Sequence, residues 1–153
     1  MRALLQRVAR AEVRVDGVSV GAIGLGLLVL LGVGPDDDEG VTDTLARRVT
    51  ELRIFRDDEG RTNRSLADAG GAILVVSQFT LFADTAKGRR PGFTGAASPD
   101  LAERLYERFG ATLEGLGVTV ARGRFGAEMA VELVNDGPFT IWLDSAGASA
   151  SNA

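Results

Sequence analysis

A chain of 153 residues, 45% of them hydrophobic, can bury the core of one domain without a disulfide or metal staple. It contains neither cysteine nor histidine, which excludes disulfides, thiolate zinc sites, a cysteine nucleophile and any Ser-His-Asp triad. A net charge of −4 argues against broad, non-specific nucleic-acid binding and leaves room for a local basic patch.

The N-terminal stretch MRALLQRVARAEVRV is interrupted by charge too often for a signal peptide. The run Ile23–Val33 is too short and glycine-rich to span a bilayer, so a soluble, cytoplasmic protein with no membrane partner is expected. Arg2–Arg10, Glu12–Val15 and Val18–Ile23 alternate in the manner of strands, and Asp16-Gly17 is the hairpin signal between the last two. Gly24-Leu25-Gly26 is an incomplete dinucleotide fingerprint followed by a strand instead of a helix, so it reads as a tight bend. Leu27–Val33 is a continuous apolar run, as a buried central strand requires.

Asp36–Glu39 opens a helix, with Val41, Leu45, Val49 and Leu52 on one stripe and Arg47, Arg48 and Arg53 towards its end. The acids suit a helix N-terminus; no second ligand set is spaced to make them a metal site. Arg53–Arg56 reads as a strand, Asp57–Arg61 as a turn and Thr62–Gly71 as irregular. Ala72–Ser77 is the second fully apolar strand. Ser98-Pro99 starts a second helix with buried positions Leu101, Leu105, Phe109, Leu113 and Leu116, ending at Gly117. Val118–Arg122, Met129–Asp136 and Phe139–Asp144 complete the strands. Residues 1–144 form the domain, and the low-complexity tail 145–153 is expected to be disordered.

Eight or nine strands with two long helices predict an α/β single domain. Its mixed β-sheets pack in layers or form a partly closed barrel, with both helices on one side.

Three segments carry chemistry. In VVSQFTLFADT (Val75–Thr85) a core strand runs into Ser77, Gln78, Phe79 and Thr80, whose polar groups either cap the next element or line a site. Thr80 has no histidine to activate it, whereas main-chain N–H groups of Gln78, Phe79 and Thr80 can hold an oxyanion without a base. Lys87-Gly88-Arg89-Arg90-Pro91-Gly92-Phe93 packs three cations with no compensating acid, either a solvated loop or a phosphate clamp. Arg122-Gly123-Arg124-Phe125 is a weaker version of the same pattern. In LVNDGPFTIWLDS (Leu133–Ser145), Asp136-Gly137 would announce a hairpin, but Pro138 removes an N–H from the returning strand. The pair is therefore either a turn or a rigid piece of main chain with a task of its own.

SQFTLFADT, KGRRPGF, GRFGAEM (Gly123–Met129) and VNDGPFT (Val134–Thr140), with the opening MRALLQRVARAEVRVDG and the central LRIFRDDEGRTNRSL, resemble the signature blocks of D-aminoacyl-tRNA deacylase. The resemblance runs from Met1 to about Asp144 in the expected order. One departure is Gly92, where the family more often has serine. The resemblance implies hydrolysis of D-aminoacyl-tRNA, with glycine as a further substrate, by a homodimer with active sites at its interface and no cofactor. It implies catalytic roles around Ser77, Gln78, Phe79 and Thr80, with tRNA held by Lys87, Arg89 and Arg90. It also makes Gly137-Pro138 a cis dipeptide that enters the partner's site and rejects L-amino acids. Two alternatives stand beside it: a paralogous editor of small L-aminoacyl-tRNA, and a non-catalytic tRNA-binding module.

Overall fold

The computed structural model describes residues 1–150, the last three in backbone only. Its spine is β1 (Arg2–Val15), which pairs antiparallel with β8 (Ala130–Asp144) along one edge. Along the other edge it meets β2 (Val18–Ile23) and then β3 (Gly26–Gly32). Ala11 faces Ile23 and Val8 faces Gly26, so one register continues across the Gly24-Leu25 break. β3 pairs parallel with β6 (Ala72–Ser77), and β6 parallel with β7 (Val120–Arg122). The sheet order is β2-β1-β3-β6-β7, with β8 added on β1. β2 curls back until a Cβ on Gly21 would collide with the Arg122 carbonyl. The sheet is thus a nearly closed barrel. At Gly26, where a Cβ would overlap the Ala72 carbonyl, only glycine permits β3 to approach β6 so closely.

Both helices lie on one side. In α1 (Glu39–Glu51) the Asp38 carboxylate caps the Val41 N–H at 2.8 Å, and in α2 (Pro99–Gly115) Ser98 caps with proline at the first position. Leu45 and Val49 of α1 and Leu105, Phe109 and Leu113 of α2 share a core with Leu5, Val29, Leu31, Ile73 and Val75. Burying side chains of this size contributes roughly 1.5–3 kcal/mol each. The alternate residues Leu28, Leu74 and Val76 point into the barrel with Val8, Ala11 and Val13. Burial on both faces is why these strands read as unbroken apolar runs.

Several expected boundaries change. Arg2–Arg10 and Glu12–Val15 are one strand: a bulge between Val8 and Arg10 shifts the alternation by one residue, which the sequence pattern presents as a break. Met129–Asp136 and Phe139–Asp144 are likewise one strand, so Asp136-Gly137-Pro138 is not a hairpin turn. Within Arg53–Arg56 only β4 (Phe55–Arg56) is a strand, and it pairs with β5 (Thr62–Arg64), inside a segment expected to be irregular. Leu116 is exposed beyond the helical stripe. Of the low-complexity tail, Ser145–Ala150 form a short 3₁₀ helix, and 151–153 lie outside the described residues.

Candidate active site

Ser77 closes β6, and Gln78 leaves the sheet with its N–H still donated to the Leu31 carbonyl at 2.8 Å. Phe79–Phe82 then winds one 3₁₀ turn, closed by Leu81 N–H to Gln78 O at 3.2 Å and Ala83 N–H to Thr80 O at 3.1 Å. The first amides of such a turn have no acceptor within it. Among the described residues the N–H groups of Phe79 and Thr80 have no protein acceptor. The Gln78 amide is therefore removed from the expected trio of free donors, because the β3 ladder reaches one residue past the end of β6. The Gln78 side chain folds back to donate to the Thr80 hydroxyl.

The turn borders a cleft of about 550 Å³. It opens at the carboxyl ends of the parallel strands β6 and β7, where ligand sites of such sheets form. Ser77, Gln78 and Phe79 line it from the end of β6 and the turn, Phe93 and Ala97 from the segment before α2, Pro99 from the first residue of α2, and Phe125, Ala127 and Met129 from the segment between β7 and β8. The lining is mainly apolar, so a polar group meeting a free N–H there is little competed for by water. With no histidine or cysteine in the chain, the wall offers main-chain N–H, the Ser77 hydroxyl and the Gln78 side chain, and the Thr80 hydroxyl stands next to it, bonded to Gln78.

Asp84 and Gly92 exchange N–H···O bonds of 2.8 and 2.9 Å and close the basic loop at its base. Lys87, Arg89 and Arg90 are all exposed, and none belongs to an ion pair among the described residues. Their charge is available to a ligand. Phe93, just past the loop, sets its ring edge-on to Phe79 with centroids 4.9 Å apart, which joins the basic loop to the turn.

Gly137 and Pro138 are not among the residues lining this cleft. Val8 pairs with Asn135 and Gln6 with Thr140, so Asp136 to Phe139 stand opposite the single residue Arg7. The Gly137-Pro138 peptide, which is cis, is exposed on this wide bulge. Two side chains hold it. Asn135 donates to the carbonyls of Arg7 and Phe139 at 2.9 and 3.0 Å. Arg7, only 3% exposed, donates to Ile54 O at 2.6 Å and Asp136 O at 3.2 Å, pairs with the Asp136 carboxylate at 3.1 Å, and lies 4.8 Å from the Phe139 ring centre. Sequence reasoning did not single out Arg7. The signal was present: in β1 it takes the inward phase of Ala3 and Leu5, and an arginine in that phase needs buried partners.

Of the acids at the start of α1, Asp38 caps the helix, Asp37 accepts from the Gly34 N–H at 2.6 Å and from the N-terminal amine at 2.5 Å, and Glu39 pairs with Arg108 at 3.0 Å. In the Arg122–Phe125 segment, Arg122 pairs with Glu114 at 2.7 Å, and Phe125 lines the cleft.

Fold and cleft together define a mixed α/β protein with an open, mainly apolar cleft at the carboxyl ends of its parallel strands. Residues 4–144 match the family model described as D-Tyr-tRNA(Tyr) deacylase. A D-aminoacyl-tRNA deacylase of Paracoccus denitrificans is 59% identical over 146 residues, covering 95% of this chain and 98% of the relative. One of Roseiflexus castenholzii is 60% identical over 146 residues, covering 95% and 93%. Among solved structures, one described as c-Myc DNA Unwinding Element Binding Protein superposes with a TM-score of 0.88 at 39% identity, covering 94% of this chain and 98% of that one. The chain belongs to the D-aminoacyl-tRNA deacylase family.

Proposed function

We propose that this protein hydrolyses the ester joining a D-amino acid, or glycine, to the 3′-terminal adenosine of tRNA, a proofreading step carried out in the cytoplasm. The observation that carries the reading is the family match over nearly the whole chain, with relatives bearing the name of that activity at 59% and 60% identity.

The chemistry follows from what the cleft contains. An aminoacyl ester is already activated, so stabilising the developing oxyanion is the main requirement. Water adds to the ester carbonyl, the oxyanion accepts hydrogen bonds from the free N–H groups of Phe79 and Thr80, and collapse breaks the bond to the ribose 3′ oxygen. The proton given up by the attacking water passes, through water and the neighbouring 2′-hydroxyl, to that departing oxygen. Ser77 and the Gln78 side chain border the same space, and Gln78 holds the Thr80 hydroxyl. This route calls on no metal or cofactor. Lys87, Arg89 and Arg90 hold phosphates of the acceptor end. Gly137-Pro138 of one subunit enters the site of the other in a homodimer, where its main chain leaves no room for an L side chain.

The test is release of amino acid from matched D-Tyr-tRNA and L-Tyr-tRNA. Loss of the D-ester alone is expected; cleavage of both removes the selector role, and cleavage of the L-ester alone moves the chain to the paralogous editor. Thr80→Ala is expected to retain turnover within about tenfold, since its N–H remains; loss of about 10⁴-fold or more would make Thr80 a covalent nucleophile. A binding-only reading is favoured by the free basic loop and by the DNA-binding description of the 39%-identical structure. It predicts tRNA binding with neither ester cleaved.

A further inference from the structure

None of the four residues of the 3₁₀ turn that carries Phe79 and Thr80 is fully buried. Four residues of 3₁₀ helix have little intrinsic stability, yet a donor pair is useful only if its direction is fixed before the substrate arrives. Something outside the turn has to hold it.

Arg2 does so from beneath. Its Nη1 donates to the Leu81 carbonyl at 2.9 Å, inside the turn. Its guanidinium lies over the Phe82 ring, 4.4 Å from the centroid, and its Nε donates to the Asp144 carboxylate at 3.1 Å. Trp142 stands on a further side with its ring centre 5.8 Å away. Arg2 faces Asp144 across the β1–β8 ladder, so both the cation and its carboxylate are mounted on sheet. Phe82 is in turn lodged against Gly32 and Gly34, where an added Cβ would stand 3.2 Å from its ring. A planar cation that donates in two directions and presents a face to a ring suits this position; an ammonium has neither the fixed fork nor a flat face to lay on the ring.

We infer that Arg2 is a positioning residue for the deacylation, orienting the Phe79 and Thr80 N–H groups through the Leu81 carbonyl and the Phe82 ring. The inference rests on the proposed role of those amides. It assigns Arg2 no contact with substrate, so truncating it should displace the donors without removing them. A displaced donor pair costs less than a deleted one, about tenfold in kcat against the hundredfold or more of deletion.

The experiment compares wild type, Arg2→Ala and Arg2→Lys in two measurements. In steady-state hydrolysis of D-Tyr-tRNA, Arg2→Ala is expected to lower kcat about tenfold with KM within twofold, and Arg2→Lys to recover part of the loss. In ¹H–¹⁵N spectra of the substrate-free protein, the Phe79 and Thr80 amide signals are expected to move in Arg2→Ala while those of α1 and α2 stay in place. Unmoved Phe79 and Thr80 signals overturn the proposal, as do an unchanged kcat and a change confined to KM. Wild type failing to cleave D-Tyr-tRNA would sink the proposed function instead, and the spectra alone would then decide whether Arg2 orients the turn.

Discussion

Gly137 is where a single residue has most consequence. Its φ of +135° lies where L side chains are rarely found, and an added Cβ would stand 3.0 Å from the Phe139 nitrogen and 3.1 Å from Arg7 Nη2. Gly137→Ala must therefore shift the bulge or the arginine beneath it, costing about 1–3 kcal/mol of stability. A chemical-denaturation midpoint measures that cost. In the folded variant, D-over-L discrimination on Tyr-tRNA is expected to fall at least tenfold; full discrimination would show that the bulge is not the selector. Arg7 makes the sensitivity intelligible. It supports the Asp136 carbonyl, the Ile54 carbonyl and the Phe139 ring together, so a displaced bulge also disturbs β4 and β1.

At the scale of elements, the two helices are joined by a charged clamp as well as by core contacts. Arg108 of α2 donates from Nε and Nη2 to the two Asp43 oxygens of α1 at 2.9 and 2.7 Å, and the Thr112 hydroxyl adds a bond of 2.8 Å. The Arg108 hydrogen bonds, then that of Thr112, hold the Asp43 carboxyl down at about 2, below its ordinary value of 3.8. A depressed carboxylate pKa stabilises the fold fully above the unfolded value. That contribution is lost as the pH falls from near 4 through about 2. Asp43→Asn should lower the urea midpoint at pH 6 and flatten its acid dependence between pH 4 and 2. An equally steep acid limb in the variant would place the pH sensitivity in other carboxylates. Because α2 begins at Pro99 on the cleft wall, a loosened helix pair should also be felt in the cleft.

For the whole molecule, β8 is the unusual element. It runs fifteen residues, pairs only with β1 among the described residues, and leaves its outer edge free. Val131, Val134 and Trp142 along it are 36%, 43% and 48% exposed. A long, free, apolar edge is what unpartnered proteins avoid, and the Gly137-Pro138 bulge, proposed above as the selector, lies on the same strand and outside the cleft. Both features favour a dimer in which β8 is covered and each bulge reaches the partner's site. Val134→Glu is expected to convert a dimer to a monomer in sedimentation equilibrium and to lower deacylation by at least a hundredfold. A fully active monomer would show that each subunit's site is complete in itself.

Much of this is readable in the sequence alone. Apolar runs at 27–33 and 72–77, the Ser98-Pro99 cap and the Asp16-Gly17 turn are local signals, and local signals survive folding because they depend on neighbours in the chain. The absence of histidine and cysteine already confined the chemistry to hydroxyls, carboxylates and main chain, and SQFTL with NDGPFT pointed to the family. What the sequence could not convey depends on partners distant in the chain. The Gln78 N–H is unavailable because Leu31, forty-seven residues earlier, takes it. Asp136-Gly137-Pro138 is a bulge and not a turn because β1 continues alongside it past Arg7. Arg2 reaches Leu81 only because β1 and β3 bring the start of the chain beneath the end of β6. By itself the sequence determined the two long helices, the central apolar strands and which chemistry is possible; the tertiary structure alone decided where strands merge across a bulge and which donors are left unpaired, since an N–H is free only when no carbonyl elsewhere in the fold has reached it.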